Sequence, residues 1–130
     1  MILVDSDVLI AHLRGVDAAR EWLLRARRET GRLATSAVCV GEVAGGMRSG
    51  ERREVTRLLA SLEIFAVTSH AGWRAAEFMR RHRRSHAAIG VADYLIAATA
   101  DTEGLELATL NVKHFPMFPG LRAPFSVPRA

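Results

Sequence analysis

Ile2-Leu3-Val4-Asp5-Ser6-Asp7-Val8-Leu9-Ile10 changes its habit once, at Asp5. Before it stands an apolar triplet, which reads as a short buried strand. After it, Asp5-Ser6-Asp7 supplies helix-capping chemistry, and Val8, Leu9, Ile10 and Leu13 continue as a short helix stopped near Gly15. A strand that passes straight into a helix is the unit from which parallel sheets are built.

The rest of the chain repeats that alternation. Asp17 opens a second helix with Ala18, Trp22, Leu23 and Ala26 at core spacing, ended by Gly31. Leu33-Ala34-Thr35 reads as a second strand. Ser36 caps a helix through Val38, Val40, Val43, Ala44 and Met47, broken by Gly50. Arg52 to Leu62 is amphipathic, and Ile64-Phe65-Ala66-Val67 is strand-like. Ser69 starts a long helix with Trp73, Ala76 and Phe78 on its apolar side. Gly90 to Thr102 is nearly all apolar, as suits a helix packed on a sheet, and Gly104 closes it. Leu105 to Thr109 is a strand candidate, and Pro124 to Ala130 an edge strand or a loose end. The expected architecture is a three-layer α/β domain over residues 1–130. Its central, mainly parallel sheet has four to five strands flanked by helices.

Composition narrows the field. The chain has 130 residues, 49% hydrophobic and 25% charged, an ordinary globular balance. No uncharged stretch approaches the ~18 residues of a spanning helix. The opening apolar run is too short for a secretory signal. Cys39 is the sole cysteine, which excludes an internal disulfide framework, and a reducing, cytoplasmic setting is expected. The net charge is +4, and Lys113 is the single lysine, so the positive charge is carried by arginine. Arginine pairs bidentately with phosphate, which suits a nucleic-acid partner, although a GC-rich genome gives the same bias. Arg25 to Arg28 and Arg80 to Arg84 are candidate RNA contacts; the plainer reading makes them solvated helix faces.

In parallel sheets function gathers beyond the carboxyl ends of the strands. Asp5, Ser36 and Asn111 each follow a predicted strand and should converge. Asp5 is either a metal ligand or a helix cap. Glu42 lies mid-helix among Val38, Cys39 and Val43, where a buried carboxylate needs a partner or a metal. Asp93 is the one charge in Ile89 to Ala98, near a helix start that by itself favours an acid. Asn111 offers an amide oxygen to a hard cation, or simply makes a turn. Asp101, eight residues past Asp93, is expected at the surface. Carboxylates gathered on one rim repel one another, and a divalent cation relieves that. Oxygen ligands select Mg²⁺, with Mn²⁺ as a substitute. No phosphate-binding glycine loop or nucleophile elbow is present, and the histidines lack zinc spacing.

These residues carry a resemblance. Ile2 to Ile10 is similar to the first motif of PIN-domain nucleases. Thr35-Ser36-Ala37-Val38 with Val40-Gly41-Glu42-Val43 resembles the second, Asp93 to Ala100 the third, and Leu107 to Asn111 with Phe115 the fourth. The compact length is similar to VapC-type toxins of bacterial toxin–antitoxin pairs. The resemblance implies an Mg²⁺- or Mn²⁺-dependent endoribonuclease with Asp5, Glu42, Asp93 and Asn111 at its acidic positions. Asp5 and Asp93 would be the direct metal ligands. Ser6, Ser36 and Thr109 would orient ligands. The neutral Asn111 departs from the family pattern and weakens the case for a second tightly held ion. A homodimer and a cognate antitoxin that occludes the site are implied as well.

Two alternatives stay open at this point. Asp5-x-Asp7 after an apolar strand resembles the acid pair of haloacid-dehalogenase phosphatases, although that family also uses a later lysine. A basic domain could also bind RNA or a partner helix without catalysis.

Overall fold

The computed structural model describes residues 1–127. Strand β1 (Ile2–Val4) leads into α1 (Ser6–Leu13), and α2 (Asp17–Thr30) follows. Then come β2 (Ala34–Ser36), α3 (Ala37–Gly45) and α4 (Arg52–Ala60). β3 (Glu63–Phe65) precedes α5 (Ser69–His82), and α6 (Val91–Thr102) precedes β4 (Glu106–Ala108). A 3-10 turn, Val112–His114, follows β4. The four strands lie in the order β3-β2-β1-β4, every pair parallel. The expected three-layer α/β architecture is therefore the observed one.

Side-chain alternation in β1 decides the layers. Leu3 packs with Cys39, Phe78, Tyr94, Ile96 and Ala97, from α3, α5 and α6. Val4 points the other way, toward Val8, Leu9, Ala26, Val43 and Val55, from α1 to α4. Successive strand residues face opposite sides of a sheet, so a three-residue strand is enough to seed two cores.

The boundaries shift in places. α3 ends at Gly45, short of Met47, because two adjacent glycines weaken the helix. β3 ends at Phe65 at the sheet's edge, where Glu63 and Phe65 are partly buried and Ile64 is exposed. Trp73 does not join the apolar side of α5. It is 77% exposed, while Ala71, Ala75 and Phe78 face the core. Residues 124–127 form no strand, and Pro128 to Ala130 lie outside the described residues. No helix among the described residues is long and apolar enough to cross a membrane.

Candidate functional site

Three strands deliver polar residues to one rim. Asp5, Ser36 and Thr109 stand at the carboxyl ends of β1, β2 and β4, which are neighbours in the sheet. The Asp5 amide donates to the Ala108 carbonyl at 2.9 Å, extending the ladder one step past β1. Its carboxylate then turns into the α1 N-terminus. Oδ1 accepts from the Ser6 amide at 2.7 Å, and Oδ2 accepts from the Thr109 hydroxyl at 2.8 Å. The cap and the candidate site residue are thus one side chain.

α3 brings the second group. Ser36 caps it, its Oγ accepting from the Cys39 amide at 3.1 Å. Cys39 and Glu42, three residues apart, share a helix face. The Cys39 thiol lies 3.7 Å from Asp5 Oδ1, and the Ser6 hydroxyl donates to Glu42 Oε1 at 2.9 Å. One ligand atom from each of Asp5, Cys39 and Glu42 lies within 4.8 Å of the others. Glu42 is exposed as a residue, not buried as its apolar neighbours suggested, but its carboxylate end reaches this cluster.

Asp93 comes from the first turn of α6. Its Oδ2 is 2.8 Å from His114 Nδ1. Asn111 does not enter the polar network through its side chain. It is exposed, its amide donates to Thr109 Oγ1 at 3.1 Å, and its side chain makes no capping bond. Asp101 is exposed and paired with Arg74 at 2.7 Å, as a surface acid should be.

Two residues near the pocket escaped the sequence reading. Asp7 was weighed only as a cap or a phosphatase acid. Its Oδ2 accepts from the Leu110 amide at 2.9 Å and from Thr109 Oγ1 at 3.2 Å, while Oδ1 is buried without a hydrogen bond among the described residues. His114 was set aside with the other histidines for want of zinc spacing. The available signal was its place three residues after Asn111, on the turn that follows the last strand.

The electrostatics are those of crowded acids. Burial pushes the Asp5 carboxyl above its ordinary range, the hydrogen bonds from Thr109 and Ser6 oppose this, and the charge of Asp93 adds to the rise. Burial and then the Asp5 charge push Asp7 up to about 6. Glu42 is raised by burial, and further by the charges of Asp5 and Asp93. Asp93 therefore acts on both other acids. Among the described residues, no arginine or lysine pairs with Asp5, Asp7 or Glu42. Burial, then the Asp5 charge, lifts Cys39 to about 11. It stays a thiol and donates to Asp5 rather than acting as a thiolate ligand. The donor set is hard oxygen with excess negative charge, which fits Mg²⁺ or Mn²⁺ and does not fit zinc.

The phosphatase alternative finds no support. Asp7 Oδ2 is held by Leu110 and Thr109, and Lys113 is exposed on the turn after β4.

Comparison with known proteins agrees with the geometry. The PIN domain family model matches residues 2–116. Ribonuclease VapC10 of Mycobacterium tuberculosis is 63% identical over 98% of this chain and 96% of its own length. Ribonuclease VapC19 of the same species is 35% identical over 96% of this chain and 100% of its own. A toxin–antitoxin complex from Klebsiella pneumoniae superposes with a TM-score of 0.78 at 25% identity, covering 98% of this chain and 100% of that one. Sequence, acid cluster and sheet order agree, and the chain belongs to the PIN domain family, among its VapC members.

Proposed function

We propose that this chain is a divalent-metal-dependent endoribonuclease and the toxin of a toxin–antitoxin pair. The observation that carries the reading is the rim itself. Asp5 and Glu42 meet there, the charge of Asp93 reaches both, and among the described residues no arginine or lysine pairs with any of the three. Supporting it are the VapC ribonuclease relatives and the toxin–antitoxin neighbour.

Asp5 and Asp93 are the residues to hold the ion, with Mg²⁺ the natural choice and Mn²⁺ a substitute. Bound there, such an ion lowers the pKa of a water and neutralises charge on the phosphodiester. The chain's own groups do the rest. Glu42, fixed by the Ser6 hydroxyl, stands at the open side, where it can ligate or orient the attacking water. Thr109 and the Ser6 amide fix both oxygens of Asp5, so its carboxylate cannot swing away. Cys39 covers the buried side with an uncharged thiol. Asn111, exposed at the fourth position, contributes an amide without charge, so one firmly held ion suits the site better than two. The exposed arginines at 25, 27 and 28 and at 80, 81, 83 and 84 supply the attraction for RNA that an acidic pocket lacks.

The reading extends to a cytoplasmic protein of one domain over residues 1–130, with a cognate antitoxin and a second copy of the chain as partners.

Asp5→Ala or Asp93→Ala, assayed for RNA cleavage with Mg²⁺, Mn²⁺ and excess EDTA, tests the chemistry. Loss of one metal oxygen ligand should raise the barrier by about 3 kcal/mol, a hundredfold or more in rate. Full cleavage in EDTA would end the metal-dependent reading.

A further inference from the structure

We propose that His114 is a positioning residue that fixes the Asp93 carboxylate for its metal ion through the Nδ1 to Oδ2 hydrogen bond. The inference rests on the nuclease reading above and concerns how one ligand is aimed. The bond is 2.8 Å long and spans 21 residues of sequence. Both side chains are about three-quarters buried, at 27% and 23% exposure, so this is not a solvated surface pair.

The frame behind His114 is stiff. The His114 amide donates to the Asn111 carbonyl at 3.0 Å, and the Phe115 amide to the Val112 carbonyl at 3.0 Å. Phe115 itself is 1% exposed and packs in the core with Tyr94 and Ala97 of α6. The turn after β4 is thereby anchored to the helix that carries Asp93. A carboxylate only accepts, so the bond places the imidazole hydrogen on Nδ1 and leaves Oδ1 of Asp93 without a hydrogen bond among the described residues. One oxygen held and one left over is the arrangement of a monodentate ligand. Mg²⁺ demands near-ideal octahedral geometry and tolerates a swinging carboxylate poorly. The need is greater here because Asn111 brings no charge to the fourth position.

Hydrogen-bond partners of metal ligands typically contribute 10- to 100-fold in metal affinity. Mn²⁺ titration of the full chain, following free Mn²⁺ by electron paramagnetic resonance, reads that directly. His114→Ala should weaken Mn²⁺ binding about 10- to 100-fold. His114→Asn, whose amide sets a donor near the Nδ1 position, should restore most of it, and His114→Gln, whose donor sits farther out, should not. Saturating Mn²⁺ should return RNA cleavage by the Ala variant to near the wild-type rate, moving only the metal midpoint. Wild-type Mn²⁺ affinity in a folded Ala variant would overturn the proposal. Should the Ala variant fail to melt cooperatively, equal affinities for the Asn and Gln variants would overturn it. A wild-type protein that takes up no Mn²⁺ would sink the nuclease reading along with it, whereas normal wild-type uptake indifferent to position 114 sinks this inference alone.

Discussion

At the scale of single residues, Asp7 shows how the acids trade stability for chemistry. Its carboxyl is raised from the ordinary 3.8 to about 6, so the metal-free fold binds its proton more tightly than the unfolded chain does. That contribution is fully present below about 3.8 and is lost as pH rises through about 6. The shift corresponds to at most about 3 kcal/mol, less for the screening its partial exposure allows. Asp7→Asn keeps an acceptor for the Leu110 amide and removes the titration. In EDTA it should melt at a higher temperature than wild type at pH 7.5 and show a flatter pH dependence between pH 4 and 7. A lower melting temperature with an unchanged slope would contradict this. The same residue marks a limit of sequence reading. Asp5 and Asp93 are legible as candidates because each adjoins an apolar run. Asp7 and His114 are not, because their partners, Leu110 and Asp93, lie 103 and 21 residues away, and periodicity reports nothing at such separations.

At the scale of elements, α5 shows what residue type alone mistakes. The sequence sets Trp73 with Ala76 and Phe78 on the apolar side, yet Trp73 is exposed. The buried stripe is Ala71, Ala75 and Phe78, at i, i+4 and i+7. Position 73 lies two residues from Ala71, about 200° around the helix, and so faces away. Phe78→Ala should destabilise the fold by about 3–5 kcal/mol, since Phe78 is 2% exposed and meets Phe118 edge-on with ring centroids 6.5 Å apart. Trp73→Ser should move stability by less than about 0.5 kcal/mol in the isolated protomer. Urea melts of both variants check the pair. The strand–helix order was legible throughout, because helix caps such as Asp5 and Ser36 are local chemistry. The exact end of β3 was not, because a sheet edge is settled by neighbours, while α3 stops at the Gly45-Gly46 pair that an apolar pattern running on to Met47 hides.

At the scale of the whole molecule, the metal proposed for the rim would couple to folding. The acids meet only in the folded state, so an ion bound at 100 times its dissociation constant should stabilise the protein by about 2.7 kcal/mol. Mn²⁺ should raise the melting temperature of the wild type and leave that of Asp5→Ala nearly unchanged. Thermal melts with and without EDTA measure it. Parallel pairing of β1 with β4 also has a consequence in time. Asp5 is synthesised well before Thr109, 104 residues later, which fixes one of its oxygens. During translation, at about 5–20 residues per second, the emerging polypeptide carries the Asp5 carboxylate for several seconds without the threonine that aligns it. A chain that stops short of β4 therefore lacks both the strand that pairs with β1 and the hydroxyl that fixes Asp5, and should show no metal-dependent RNA cleavage.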